Sequence, residues 1–216
     1  MPHITLVRHG QANSTAKDEV AYDRLSDLGR QQARWLGAHL RDSGEGFARV
    51  YAGTLRRHQE TAVEMAAEDV VLDPRLNELE YFTLSQLMAT QHGIAIPTDR
   101  PGFLRHMPVL LSYWQEGKLD GAPESFADFE SRVRDVLTEI ADGPGRALVV
   151  TSGGLIGMTM RITMGLDLRA LAHACLAIQN TSLHRYQPLP TGLVLMQFNA
   201  LPHLDHPDRH HARTHL

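Results

Sequence analysis

Ile4-Thr5-Leu6-Val7-Arg8-His9-Gly10 is a short apolar run that stops at an arginine, a histidine and a glycine. Its first four residues, rich in β-branched side chains, read as a buried strand. Arg8 and His9 then stand at the carboxyl end of that strand, where open α/β sheets bind their ligands. The adjoining glycine has no Cβ and lets a bound group approach the backbone closely. An imidazole beside a guanidinium at such a point suits a nucleophile that handles phosphate. A strand end followed by a plain turn is the other reading of these three residues.

Outward from this strand, residues 11–24 are polar and without period, which predicts a loop beside Arg8 and His9. Ser26 can cap a helix to about Ser43, with Leu28, Gln32, Trp35, Leu36 and Leu40 along one face. Residues 48–52 predict a second strand. With Thr54 as N-cap, Leu55, His58, Ala62 and Met65 mark the inner face of the next helix, and Arg56 and Arg57 fall in its first turn. Cations there oppose the helix dipole, a conflict with a use if the pair faces an anion. Residues 70–72 predict a brief third strand. The stretch from about 83 to 124, with helical pieces near 83–91 and 101–116 and several prolines, reads as a small inserted helical lid. Phe126, Phe129, Val133, Val136, Leu137 and Ile140 recur at helical spacing after Ser125 and predict a core-facing helix.

Ala147-Leu148-Val149-Val150-Thr151 is apolar throughout, like a strand buried on both faces. It runs into Ser152-Gly153-Gly154 and a helical pattern from Leu155, a sequence that makes a cradle of backbone amides for an anion. A further helix over 168–174 and strands over 182–186 and 194–198 complete the pattern. Strands alternating with helices predict an α/β three-layer sandwich, a mostly parallel sheet with helices on both faces. It occupies residues 1–201 as a single domain, with 202–216 as a His-rich tail.

Composition narrows the partners. The 216 residues carry a formal net charge of -4, with 43% hydrophobic and 21% charged residues, so neither nucleic acid nor a membrane surface is the expected partner. Cys175 stands alone, which excludes an internal disulfide and suits a reducing compartment. No leader or membrane-length apolar run is legible, and the expected location is cytoplasmic. The tail histidines have no carboxylate or thiolate at ligand spacing, so no metal and no cofactor is expected.

Leu6-Val7-Arg8-His9-Gly10, Leu25-Ser26-Asp27-Leu28-Gly29-Arg30-Gln31-Gln32-Ala33 and Leu55-Arg56-Arg57-His58-Gln59-Glu60-Thr61-Ala62 together resemble the histidine phosphatase superfamily, the phosphoglycerate mutase-like fold. Asn77-Glu78 and Val149 to Gly154 follow in the order that resemblance requires. It implies that His9 is the nucleophile that becomes phosphorylated, as a neutral imidazole held through its other ring nitrogen by a backbone carbonyl. It implies Arg8 as one phosphate-binding arginine and Arg57 over Arg56 as the second, because Arg57 lies four residues before Thr61. Glu78, in preference to Glu80, matches the general acid and base, which needs a pKa raised toward neutrality by burial. Asn180 resembles an asparagine near the family's site, and loop residues from Gln11 to Thr15 are candidates for substrate contact.

The chain departs from the family pattern at Ser152, which stands where a second histidine is usual, and so resembles a subgroup with serine there. A neutral hydroxyl is a weaker donor than an imidazolium. Unreplaced, the loss is roughly 1 to 3 kcal/mol, or on the order of ten- to a hundredfold in rate. His203, beyond the last strand, is a candidate to reach back and supply the missing donor, against the alternative of an exposed tail residue. The resulting expectation is phosphomonoester hydrolysis of a small phosphorylated substrate, with Ser152 and Gly153 helping to hold the phosphoryl group. Mutase-type transfer and a weakly active binder of a phosphorylated ligand are the alternatives.

Overall fold

The computed structural model describes residues 2–215, the side chain of Arg100 excepted. Its strands are β1 (Ile4–Arg8), β2 (Arg49–Ala52), β3 (Val70–Leu72), β4 (Ala147–Thr151), β5 (Leu183–Leu189) and β6 (Gly192–Ala200). They form one six-stranded sheet in the order β3-β2-β4-β1-β5-β6. β1, β2, β3 and β4 run parallel, and β5 and β6 are antiparallel additions at one edge. Register fixes the site: Arg8 lies opposite Thr151 and Val7 opposite Leu183, so the turn after β1, the turn after β4 and the approach to β5 share one end of the sheet.

The central strands are apolar on both faces, and each face has its own core. Val7, Leu148 and Val150 pack against Ala33, Leu36 and Leu40 of α2 (Asp27–Asp42) and Ala62 of α3 (Arg56–Glu64). Ile4, Leu6, Ala147 and Val149 face the larger core, built on α4 (Tyr81–His92), α5 (Arg100–Gln115), α6 (Phe126–Asp142), α7 (Gly153–Met164) and α8 (Leu168–Ala177). Each fully buried Val, Leu or Ile contributes on the order of 1.5 to 3 kcal/mol. The chain is therefore a mostly parallel sheet with helices on both faces, as its pattern predicts.

Three local expectations need correction. Residues 11–24 contain a short helix, α1 (Glu19–Tyr22), started by Asp18, whose carboxylate accepts from the Ala21 amide at 2.7 Å. Thr54 does not cap α3; the carboxylate of Asp23 accepts from the amides of Arg56 and Arg57 at 2.9 and 3.1 Å. α4 and α5, in the stretch read as an inserted lid, add no strand to the sheet and pack on the larger core through Leu84, Met88, Leu110 and Trp114. Residues 202–215 are not a solvated tail: two 3-10 turns, Pro202–Leu204 and Pro207–Ala212, bury Leu204 and Ala212 against Leu28 and Trp35. The side-chain amide of Gln32 fastens this segment, donating to Ala212 O at 2.6 Å and Thr214 Oγ1 at 2.9 Å. A count of prolines and charges hid these anchors.

Among the described residues, no helix is long and apolar enough to cross a membrane.

Candidate active site

His9 follows β1 directly and is 2% exposed. Its Nδ1–H donates to the Gly10 carbonyl at 2.7 Å, which leaves Nε2 with a lone pair. Burial, then Arg57, then Arg8, and then His58 hold its pKa well below 6.5, so the ring is neutral. Gly10 is obligatory for packing, since a Cβ there would stand 2.4 Å from the Gly29 carbonyl oxygen on α2.

Two guanidiniums converge on this point. Arg8 is buried at the end of β1 and donates to Ile178 O at 2.5 Å. Arg57 is 2% exposed in the first turn of α3, paired with Asp23 at 2.9 Å and stacked 5.1 Å from the Tyr22 ring centroid. The Nε atoms of both are buried without a hydrogen-bond partner, and among the described residues no carboxylate pairs with Arg8. A buried cation left so is costly unless an anion compensates it. Thr61 explains the four-residue spacing: its Oγ1 donates to Arg57 O at 2.7 Å and accepts from the Gly10 amide at 3.1 Å, tying the α3 turn to the His9 loop. Arg56 points outward to Glu60.

Glu78 reaches the same end from the segment before α4. Its Oε2 accepts from the Gly154 amide at 3.0 Å and its Oε1 from the Leu79 amide at 3.0 Å. Gly154 must be glycine for this, because a Cβ would come within 2.2 Å of Glu78 Oε1. The Gly154 amide, which the sequence suggests as part of an anion cradle, is thus committed to Glu78. Glu80 is exposed and accepts from the Thr83 hydroxyl. Arg8, Arg57, Glu78 and Gly153 line one end of a pocket of about 590 Å³.

Asn180 holds the site from behind, with Nδ2 donating to His9 O at 3.2 Å and Oδ1 accepting from Thr214 at 2.9 Å. Gln11 does not line the pocket: its side-chain oxygen accepts from the Ser26 hydroxyl at the start of α2. His203 does not reach back either. It is buried behind the end of β1, its Nε2 2.9 Å from Thr181 Oγ1, while the Thr181 amide donates to Arg8 O.

The ring beside His9 is instead that of His58, with centroids 5.7 Å apart and Nε2 2.5 Å from Ser152 Oγ. The sequence reading placed His58 among the core-facing residues of α3 and missed it as a site residue. Tyr22, Asp23, Glu19 and Thr214 were missed too, because they belong to segments read as loop and tail. Burial raises the Glu19 pKa, and its carboxylate lines the pocket and accepts from the Phe82 amide.

The chain is 30% identical over 221 residues to the probable phosphoglycerate mutase GpmB of Enterobacter sp. (strain 638), covering 96% of this chain and 97% of that protein. Its fold is similar to that of a mutant phosphoserine phosphatase from Entamoeba histolytica in complex with phosphoserine, with TM-score 0.70 at 18% identity over 94% of this chain and 100% of that one. A mycobacterial glucosyl-3-phosphoglycerate phosphatase is also similar, with TM-score 0.63 at 23% identity over 93% and 100%. A sequence model of the histidine phosphatase superfamily (branch 1) matches residues 4–201, the part of the chain that carries this geometry, and the chain belongs to that superfamily.

Proposed function

We propose that the chain hydrolyses phosphomonoesters through a phosphohistidine on His9. The observation that carries this reading is the pair of buried guanidiniums, Arg8 and Arg57, with unpartnered Nε–H groups beside a neutral imidazole. A phosphoryl group satisfies both: it compensates the charge, and each planar fork accommodates its oxygens. His9 Nε2 attacks phosphorus as the bond to the leaving oxygen breaks, and Glu78 gives that oxygen a proton. In the second step the Glu78 carboxylate takes a proton from water, the water oxygen bonds to phosphorus, and the P–N electron pair returns to Nε2. Ser152 and the Gly153 end of α7 help to hold the phosphoryl oxygens.

Hydrolysis is favoured over mutase-type transfer by the apolar share of the pocket lining. Tyr81, Phe82, Ile96, Phe103, Met107 and Leu111 line the pocket, and among its polar lining residues the guanidinium of Arg213 is paired with Asp205. A mutase must retain a second charged group in the pocket, whereas these apolar and aromatic residues suit an apolar leaving group such as an aryl alcohol. Naphthyl phosphate is expected to be turned over at least about tenfold more efficiently in kcat/KM than phosphoserine or 3-phosphoglycerate, and His9→Ala to abolish turnover. Preferred interconversion of phosphoglycerates, or activity that survives His9→Ala, contradicts the reading.

A further inference from the structure

Resting on that phosphoryl-transfer reading, we infer that His58 restores, through the Ser152 hydroxyl, the hydrogen bond that the family's second histidine would make to the phosphoryl group. The place is built for an imidazole. His58 is fully buried near the start of α3, and a Cβ on Gly53 would stand 2.2 Å from its Nδ1, so glycine there leaves room for the ring. Its Nε2 lies 2.5 Å from Ser152 Oγ, a contact between residues 94 apart in the chain.

The direction of that hydrogen bond follows from proton counting. Buried beside Arg57, His58 is neutral and carries one ring hydrogen. Its Nδ1 has no partner, so a hydrogen placed there would be a buried, unmade donor. With the hydrogen on Nε2 the ring donates to Ser152 Oγ, and the hydroxyl hydrogen is free to turn toward a phosphoryl oxygen on His9. Donors linked in this way polarise one another. Serine thus extends the imidazole by one hydroxyl, and His58 acts as a positioning residue and not as a group that touches substrate.

The test compares His58→Ala, Ser152→Ala, the double variant, and His58→Ala combined with Ser152→His. It reads both kcat on an aryl phosphate and the affinity for orthovanadate, which probes the cradle without turnover. Either single change is expected to lower kcat roughly ten- to a hundredfold with little change in KM, and to weaken vanadate binding. The double variant loses no more than the worse single, because the two groups act in series. Ser152→His in the space left by His58→Ala recovers most of the loss, which a role confined to core packing would not produce. Should His58→Ala fail to fold, Ser152→Ala removes one oxygen from the same relay and must show the same loss. Parental values in either single variant, additive losses, or no recovery in the swap overturn the inference. A patterned vanadate response from a chain that turns over no ester retires the hydrolysis reading and leaves this one standing.

Discussion

At His9 the decisive fact is a ring kept neutral by surroundings that refuse it a proton: burial first, then the charges of Arg57 and Arg8. Ordinary imidazole nucleophiles lose activity as pH falls through about 6.5. Here the acid limb of kcat/KM, corrected for ionisation of the substrate, is expected well below that value, and Arg57→Ala should move it back upward. A limb at the ordinary position in the parental chain, or one unmoved by that change, contradicts the assignment of charge around His9. The contiguous Arg8-His9-Gly10 is visible in the sequence itself, whereas the choice of Arg57 over Arg56 comes from the family resemblance; in the structure Thr61 ties Arg57 to the His9 loop through two hydrogen bonds. His58 was not legible. A histidine at an apolar helical position looks like core packing until β4 delivers Ser152 beside it, and one-dimensional spacing carries no trace of that meeting.

The elements matter through their ends. α7 begins immediately after β4, and its second residue, Gly154, gives its amide to Glu78 instead of to an anion. The helix terminus therefore fixes the proposed proton donor. Gly154→Ala places a methyl 2.2 Å from Glu78 Oε1, so the carboxylate must swing away. The expected result is a loss of about tenfold or more in kcat with a thermal midpoint close to the parental one. Unchanged kcat would show that Glu78 does not act from this position, and Glu19→Gln set beside Glu78→Gln then tells which pocket carboxylate does. The sequence showed that strand 147–151 leads into a small-residue turn and a helix. It did not show which ligand the first amides take, because that ligand comes from a loop 76 residues away. The same blindness produced the Thr54 cap, since the true cap, Asp23, lies outside the helix and far from it in sequence.

On the scale of the whole molecule, folding buries the imidazoles of His9, His58, His106, His184 and His203 as neutral rings. Burial is the first cause for each, and it takes His184 and His203 to about 3 and His9 and His58 well below 6.5. The unfolded chain takes up protons at these histidines near 6.5 and the folded chain does not, so stability is full above that pH and is lost as pH falls toward about 3. Each ring contributes up to about 1.4 kcal/mol per pH unit within that window. Urea midpoints should fall between about pH 7 and about pH 5, less steeply in His203→Gln; a flat profile, or an unaltered slope in the variant, opposes this. The alternation of strands and helices made the sheet and its two covered faces readable. The closing of the C-terminal segment over α2 was not, because its anchors are single residues, Leu204, Ala212 and Thr214, scattered among charges. The same closure brings Thr214 to Asn180 behind His9, so the proposed nucleophile depends on both ends of the chain. The most direct measurement is therefore to quench the protein with alkali during turnover of an aryl phosphate and map the bound phosphoryl group by peptide mass. One acid-labile phosphoryl group on His9, absent from His9→Ala, is the expected result; turnover with no phosphoryl group on the protein, or with one on another residue, contradicts it.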